Sequence, residues 1–156
     1  MAPPPAHIFT CQVCGFVLYF NPAVSVSVFP EREDGRVLFI RRARDPGKGR
    51  LASPGGFVDI GERAEDALHR EIREELGIEI RDVRFVCTQS NSYLYREVTY
   101  PVVDLFFSAC AVDAGRARAL EDVESLDWLD PERVDPSDLA FPSMRAAFVM
   151  WLTGEK

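Results

Sequence analysis

Residues 55–78 constrain this chain more than any other stretch: G-G-F-V-D-I-G-E-R-A-E-D-A-L-H-R-E-I-R-E-E-L-G-I. Two glycines open it, a carboxylate-rich helical pattern fills it, and Gly77 closes it. Ser53-Pro54-Gly55-Gly56 reads as a tight turn, because glycine takes backbone angles closed to other residues. Gly77 stands where a helix C-terminus calls for a left-handed residue. The interval 62–76 is long enough for about four helical turns.

At about 100° per residue, Leu68, Ile72 and Leu76 share one arc, which is expected to face a core. Glu71, Glu74 and Glu75 share the adjoining arc with Ala64 and Ala67, and Arg70, Arg73, Asp66 and His69 fall on the remaining, solvated side. Like charges at i, i+3 and i, i+4 repel, so three carboxylates beside a buried stripe are unfavourable alone. A hard divalent cation relieves that repulsion through oxygen ligands. The alternative is a salt-bridged surface helix, for which Glu-Arg pairs are ordinary. The alanine-flanked acidic arc and the double glycine upstream favour the metal reading.

The stretch resembles the signature of the Nudix hydrolase superfamily at every fixed position: Gly56, five residues, Glu62, seven residues, then Arg70-Glu71-Ile72-Arg73-Glu74-Glu75-Leu76-Gly77-Ile78. The resemblance implies an α/β fold, a mixed β-sheet sandwiched between α-helices (an α/β/α sandwich). It implies hydrolysis of a nucleoside diphosphate linked to another group, with Mg2+ or Mn2+ as cofactor. By position in the motif, Glu74 and Glu75 are the expected principal metal ligands. Glu71 is expected as a ligand or as the residue that positions and deprotonates water. A carbonyl of Gly55 or Gly56 completes the expected shell, Arg70 orients the carboxylates, and Glu62 supports them. Glu97, Glu121 and Glu124 are candidates for a further base beyond the motif.

With 47% apolar and 28% charged residues in 156, one domain with a sizeable core is expected. We divide the chain into an N-terminal tail and knuckle (1–21) and the catalytic domain (22–156). No apolar run reaches the length of a membrane span, and the first residues lack the pattern of a signal peptide. The net charge of −7 argues against non-specific nucleic-acid binding and against an acidic membrane surface; the resemblance implies a small nucleotide-derived partner. Four cysteines with one close pair suggest a reducing, cytoplasmic setting.

Residues 1–6 are Pro-rich and are expected to be disordered. Cys11 and Cys14 form a lone C-x-x-C knuckle and are candidate zinc ligands; His7 could add a third, but zinc needs four. Residues 11–22 resemble the second half of the zinc ribbon found ahead of some Nudix domains. A relic knuckle packed as a small hairpin is the favoured reading; the other is a zinc site completed by a second chain, which a homodimer would provide.

Residues 23–29 alternate strictly, predicting a strand with one valine face buried. Residues 37–40, 83–88, 102–112 and 124–129 read as further strands. Residues 143–152 read as a final helix packing through Met144, Phe148, Trp151 and Leu152. Arg42 and Arg44, at the end of the second of these strands, are candidate phosphate contacts beside a bland reading as solvated charges, and Lys48 or Arg50 could also meet phosphate. Tyr93 and Tyr95 could stack on a nucleobase or pair across a hairpin.

Substrate signals conflict. The NADH-hydrolysing subgroup's Ser-Gln-Pro-Trp-Pro-Phe-Pro is absent, and Ser92 stands where the ADP-ribose subgroup has proline. Tyr93 or Tyr95 falls near the tyrosine of the dinucleoside polyphosphate subgroup, while the zinc-ribbon remnant points toward NAD-type relatives. The sequence supports a nucleoside-diphosphate-linked compound and no finer class. Two rival functions are a regulatory domain of this fold that binds a nucleotide without cleaving it, and a zinc-dependent interaction module.

Overall fold

A computed structural model describes residues 8–154. The expectations for residues 1–6 and for His7 lie outside that range. A two-stranded antiparallel hairpin, β1 (Ile8–Thr10) and β2 (Val17–Tyr19), precedes a seven-stranded sheet. The sheet comprises β3 (Ala23–Glu31), β4 (Val37–Arg42), β5 (Leu51–Ala52), β6 (Gly55–Phe57), β7 (Glu79–Tyr95), β8 (Val98–Val112) and β9 (Val123–Leu129). Two helices complete the fold, α1 (Ala64–Leu76) and α2 (Pro142–Thr153). No helix among the described residues is long and apolar enough to cross a membrane.

β3 is the hub. It runs parallel to β8 along its whole length, pairs antiparallel with β6, and touches β4 at Glu31↔Val37. β4 in turn pairs with β5 and β9, so the sheet curls about the β3–β4 junction. α1 packs against β6, β3 and β7, and α2 against β7 and β8. This is the α/β sandwich, a mixed sheet with a helix layer on each side.

Periodicity explains both helices. Leu68, Ile72 and Leu76 of α1 are fully buried, as a 3.6-residue stripe requires. Gly77 ends α1 at φ 67°, its N–H returning to the Arg73 carbonyl. Phe148 of α2 meets Phe29 at 5.7 Å and Phe39 at 5.6 Å between ring centres. Met144 is buried too and Trp151 stacks on Phe29 at 5.2 Å, but Leu152 is 42% exposed, one residue before α2 ends, and leaves the expected packing face.

Two local expectations need correction. The double glycine forms strand β6 rather than a free turn, with Gly55 opposite Ser27 and Gly56 opposite Val26. Strand β3 is buried on both faces from Val26 to Pro30, not on one, because its neighbours and both helix layers enclose it. The expected hairpin pairing of tyrosines is present: β7 and β8 form one long hairpin that places Tyr93 opposite Tyr100 and turns at Arg96-Glu97, both with positive φ.

Candidate active site

α1 and β6 build one end of a cavity of about 440 Å3. Glu75 is buried, and its Oε2 accepts the Gly55 N–H at 3.0 Å. Burial pushes its carboxyl up to about 8, and the neighbouring Glu71 and Asp122 charges push the same way, against the Gly55 hydrogen bond and Arg42. Burial also raises the Glu71 carboxyl, opposed by Arg70.

Arg70 is not on a solvated face. Its Nε and Nη2 reach Glu62 at 2.9 and 3.0 Å, its Nη1 reaches Glu71 at 2.7 Å and Glu74 at 3.0 Å, and Nη2 also donates to the Phe57 carbonyl at 3.0 Å. The guanidinium fork thus ties helix, strand and preceding loop together. Arg70 holds Glu62 below its ordinary carboxylate range. Gly56 lies against Glu71 so closely that an added Cβ would sit 2.5 Å from the Glu71 Cδ.

Of the residues singled out from sequence, Glu71, Glu75, Gly56, Arg70, Arg42, Arg44, Tyr93 and Tyr95 line this cavity. Glu74 does not; its side chain is 46% exposed and paired with Arg70. Arg42 donates to the Pro46 carbonyl at 2.7 Å and lies 4.9 Å over the Phe141 ring. Arg44 pairs with Asp122 at 2.7 Å. Tyr93 stands edge-on to Phe57 at 5.5 Å and 6.0 Å from Phe141. Glu97, Glu121, Glu124, Lys48 and Arg50 are absent from the lining; Arg50 instead caps the Ser137 carbonyl.

Cys11 and Cys14 sit in the turn of the N-terminal hairpin, closed by Cys11 N–H to Phe16 O and Gly15 N–H to Cys11 O. Cys87 is in β7 and Cys110 in β8, and among the described residues no cluster of three His, Cys, Asp or Glu is arranged to hold a metal. The knuckle therefore lacks the ligand set that zinc requires within the described chain.

The sequence reading missed Asp104, Asp122, Ser25, Ser53, Phe57 and Phe141, all of which line the cavity. One signal was present: Asp104 is a lone carboxylate inside the apolar run 102–112, and an unpaired acid in a central strand is unusual.

A mixed sheet held between two helices, with an acidic helix abutting a double-glycine strand at a cavity, defines a class. The chain belongs to the NUDIX domain family, whose sequence model matches residues 21–152. It is 49% identical over 61 residues to an ADP-ribose pyrophosphatase of Methanocaldococcus jannaschii, covering 39% of this chain and 36% of that protein. It is 35% identical to a MutT-like protein of Streptomyces ambofaciens over 112 residues, covering 72% of this chain and 66% of the other. Against an NAD-capped RNA hydrolase NudC of Chromobacterium violaceum the identity is 29% over 121 residues, 77% of this chain and 42% of that one. The chain thus spans between about a third and two thirds of the length of these relatives. Among solved structures, a MutT NUDIX hydrolase from Burkholderia pseudomallei superposes with a TM-score of 0.70 at 30% identity, covering 83% of this chain and 97% of that one.

Proposed function

We propose that the chain is a metal-dependent hydrolase that cleaves the diphosphate linkage of a nucleoside diphosphate joined to a further group. The observation that carries this reading is the cavity end where Glu75, buried and anchored on the Gly55 N–H, stands beside Glu71. Family membership and the pyrophosphatase and capped-RNA hydrolase relatives support it.

The donor set fits a hard cation. Glu75 is a buried carboxylate with one N–H partner and a raised proton affinity, and hard oxygen ligands suit Mg2+ or Mn2+. Glu71, Glu75 and the Gly56 peptide would hold it, with Glu74 joining from the helix surface. When bound, the ion neutralises charge on phosphate oxygens and on the leaving group.

The remaining roles belong to the chain. Arg70 fixes the Glu71 and Glu74 carboxylates through its fork, and Glu62 fixes Arg70. Glu71, held in this way, orients the attacking water. Arg42 and Arg44 meet phosphate oxygens, and the Tyr93–Phe57–Phe141 rings flank the rest of the substrate. Asp122, which lines the cavity and acts electrostatically on Glu75, replaces Glu97, Glu121 and Glu124 as the acid beyond the helix.

The test is hydrolysis of NAD(H), ADP-ribose, ADP-sugars, dinucleoside polyphosphates and nucleoside triphosphates with Mg2+ or Mn2+, beside a Glu74→Gln/Glu75→Gln variant. Metal-dependent turnover of one class, abolished in the variant, is the expected result. Nucleotide binding without turnover of any class would replace the hydrolase by a sensor domain.

A further inference from the structure

The Glu71–Glu75 end accounts for the phosphates and leaves the floor of the same cavity without a role. That floor is polar and buried. Asp104 is 6% exposed; its Oδ1 accepts the Ser25 hydroxyl at 2.5 Å and its Oδ2 the Ser143 hydroxyl at 2.6 Å. Both partners are hydroxyls rather than cations. A carboxylate has about four acceptor sites, so each oxygen retains capacity for a further donor. In the same wall Ser53 is 4% exposed, and its Oγ is buried with no hydrogen-bond partner among the described residues. Buried hydroxyls are nearly always satisfied. The orphan adds a second polar group to the buried wall that holds Asp104.

Strand register fixes where this floor lies. Gly55, which anchors Glu75, is opposite Ser27; Phe57 is opposite Ser25, and Ser25 is opposite Asp104. Two residues along the strand and two strand spacings across put Asp104 about 12 Å from Gly55. That is about the reach of a nucleotide from its outer phosphate to its base edge. Phe57, Tyr93 and Phe141 stand around the floor, and aromatic faces are the usual platform for a base.

We propose that Asp104, supported by Ser25, is a specificity-determining residue that reads the hydrogen-bond-donor edge of a nucleobase, and that it favours a base carrying an amine beside a ring N–H, as guanine does. An ionised carboxylate only accepts. Two parallel donors match its two oxygens, the geometry that makes carboxylate recognition strong. Adenine and cytosine set a ring acceptor beside their amine, so one carboxylate oxygen would face a lone pair. The inference rests on the hydrolase reading of the site and adds the base class to it.

The experiment is calorimetric titration of the full chain, with Mg2+, using α,β-methylene diphosphates of guanosine, inosine, adenosine and 2′-deoxyguanosine. Hydrogen bonds to a charged group predict that the guanosine analogue binds about 10- to 100-fold tighter than the inosine and adenosine analogues. Asp104→Asn is expected to narrow that gap to about threefold, and Ser25→Ala to weaken it in part. The inosine comparison uses the unaltered protein, so a poorly folded variant leaves the test intact. Equal affinity for guanosine and inosine analogues, or tighter adenosine binding, overturns the proposal while leaving the hydrolase reading standing. A gap produced by the 2′-hydroxyl rather than the amine also overturns it, placing ribose on the floor. Failure of every analogue to bind, with no turnover of the substrate panel, removes the hydrolase reading and this inference with it.

Discussion

Glu75→Gln is expected to stabilise the metal-free protein at alkaline pH. Glu75 is buried against β6, with its carboxyl raised from 4.5 to about 8. An acid whose folded pKa lies above its unfolded value binds its proton more tightly when folded. Stability therefore falls as pH rises from the unfolded pKa near 4.5 to the folded value near 8, and is level above that. The full shift corresponds to about 5 kcal/mol at 1.36 kcal/mol per unit, and relaxation with water entry at the cavity wall brings this to about 2 kcal/mol. Glutamine keeps an acceptor for the Gly55 N–H and removes the charge. For a domain of this size about 2 kcal/mol raises Tm by roughly 4–8 °C. The assay is thermal unfolding of both proteins in chelator at about pH 5 and about pH 9, where the difference between them cancels every other titration. The variant should exceed the parent at both pH values, by clearly more at the higher. Added Mg2+ should then raise the parent's Tm at the higher pH, since binding to the folded state stabilises it, and leave the variant unmoved. A variant less stable than the parent at the higher pH would refute the reasoning, because the Glu75 charge would then be favourable as it stands.

Gly56→Ala drives a methyl into the Glu71 carboxylate; turnover should fall about 100-fold, on the scale of a misplaced catalytic group, while the circular dichroism spectrum stays unchanged. Gly55→Ala is a different kind of lesion, since Gly55 has φ 144° and an added Cβ would lie 2.8 Å from the Ser27 Cα; it should lose about 1–3 kcal/mol by chemical denaturation. Arg70→Lys keeps a charge but cannot reproduce the fork, so kcat/KM should fall about 10- to 100-fold in steady-state assays, with Tm little altered. Phe148→Ala should destabilise by about 3–5 kcal/mol in urea titrations, whereas Leu152→Ala, at a half-exposed site, should stay within about 0.5 kcal/mol.

What could be read in the sequence was what a short window determines. The apolar stripe Leu68, Ile72, Leu76 and the terminal Gly77 lie within one helix, so their spacing carries the whole signal, and α1 spans Ala64–Leu76. The acids at 71 and 75 were found in the same way. Arg70 was expected to orient the carboxylates, and it pairs with Glu71 and Glu74 of its own helix; its placement on the solvated side failed because its other partners come from elsewhere, Glu62 preceding the helix and the Phe57 carbonyl belonging to a strand. Glu74 carried the expectation of a principal ligand; it pairs with Arg70 one turn away and lies outside the cavity lining. The acid beyond the helix was sought among glutamates, none of which lines the cavity, whereas Asp122, at positive φ and paired with Arg44, does.

The strand V-S-V-S-V shows why the cavity floor escaped notice. Alternating apolar and polar residues read as a strand with one buried valine face, which gave the serines no role. Ser25 and Ser27 line the cavity instead, Ser27 almost wholly buried. The same register then ties the two ends of the site together. Ser27 faces Gly55, where Glu75 is anchored, and Ser25 sits between Phe57 and Asp104. A slip of one residue would turn valines onto the floor and both serines away from it. The double glycine lets β6 approach β3 closely enough to hold that register, since a Cβ at position 55 would collide with the β3 backbone. The glycines that first mark the chain thus set the distance between its acidic end and its buried aspartate.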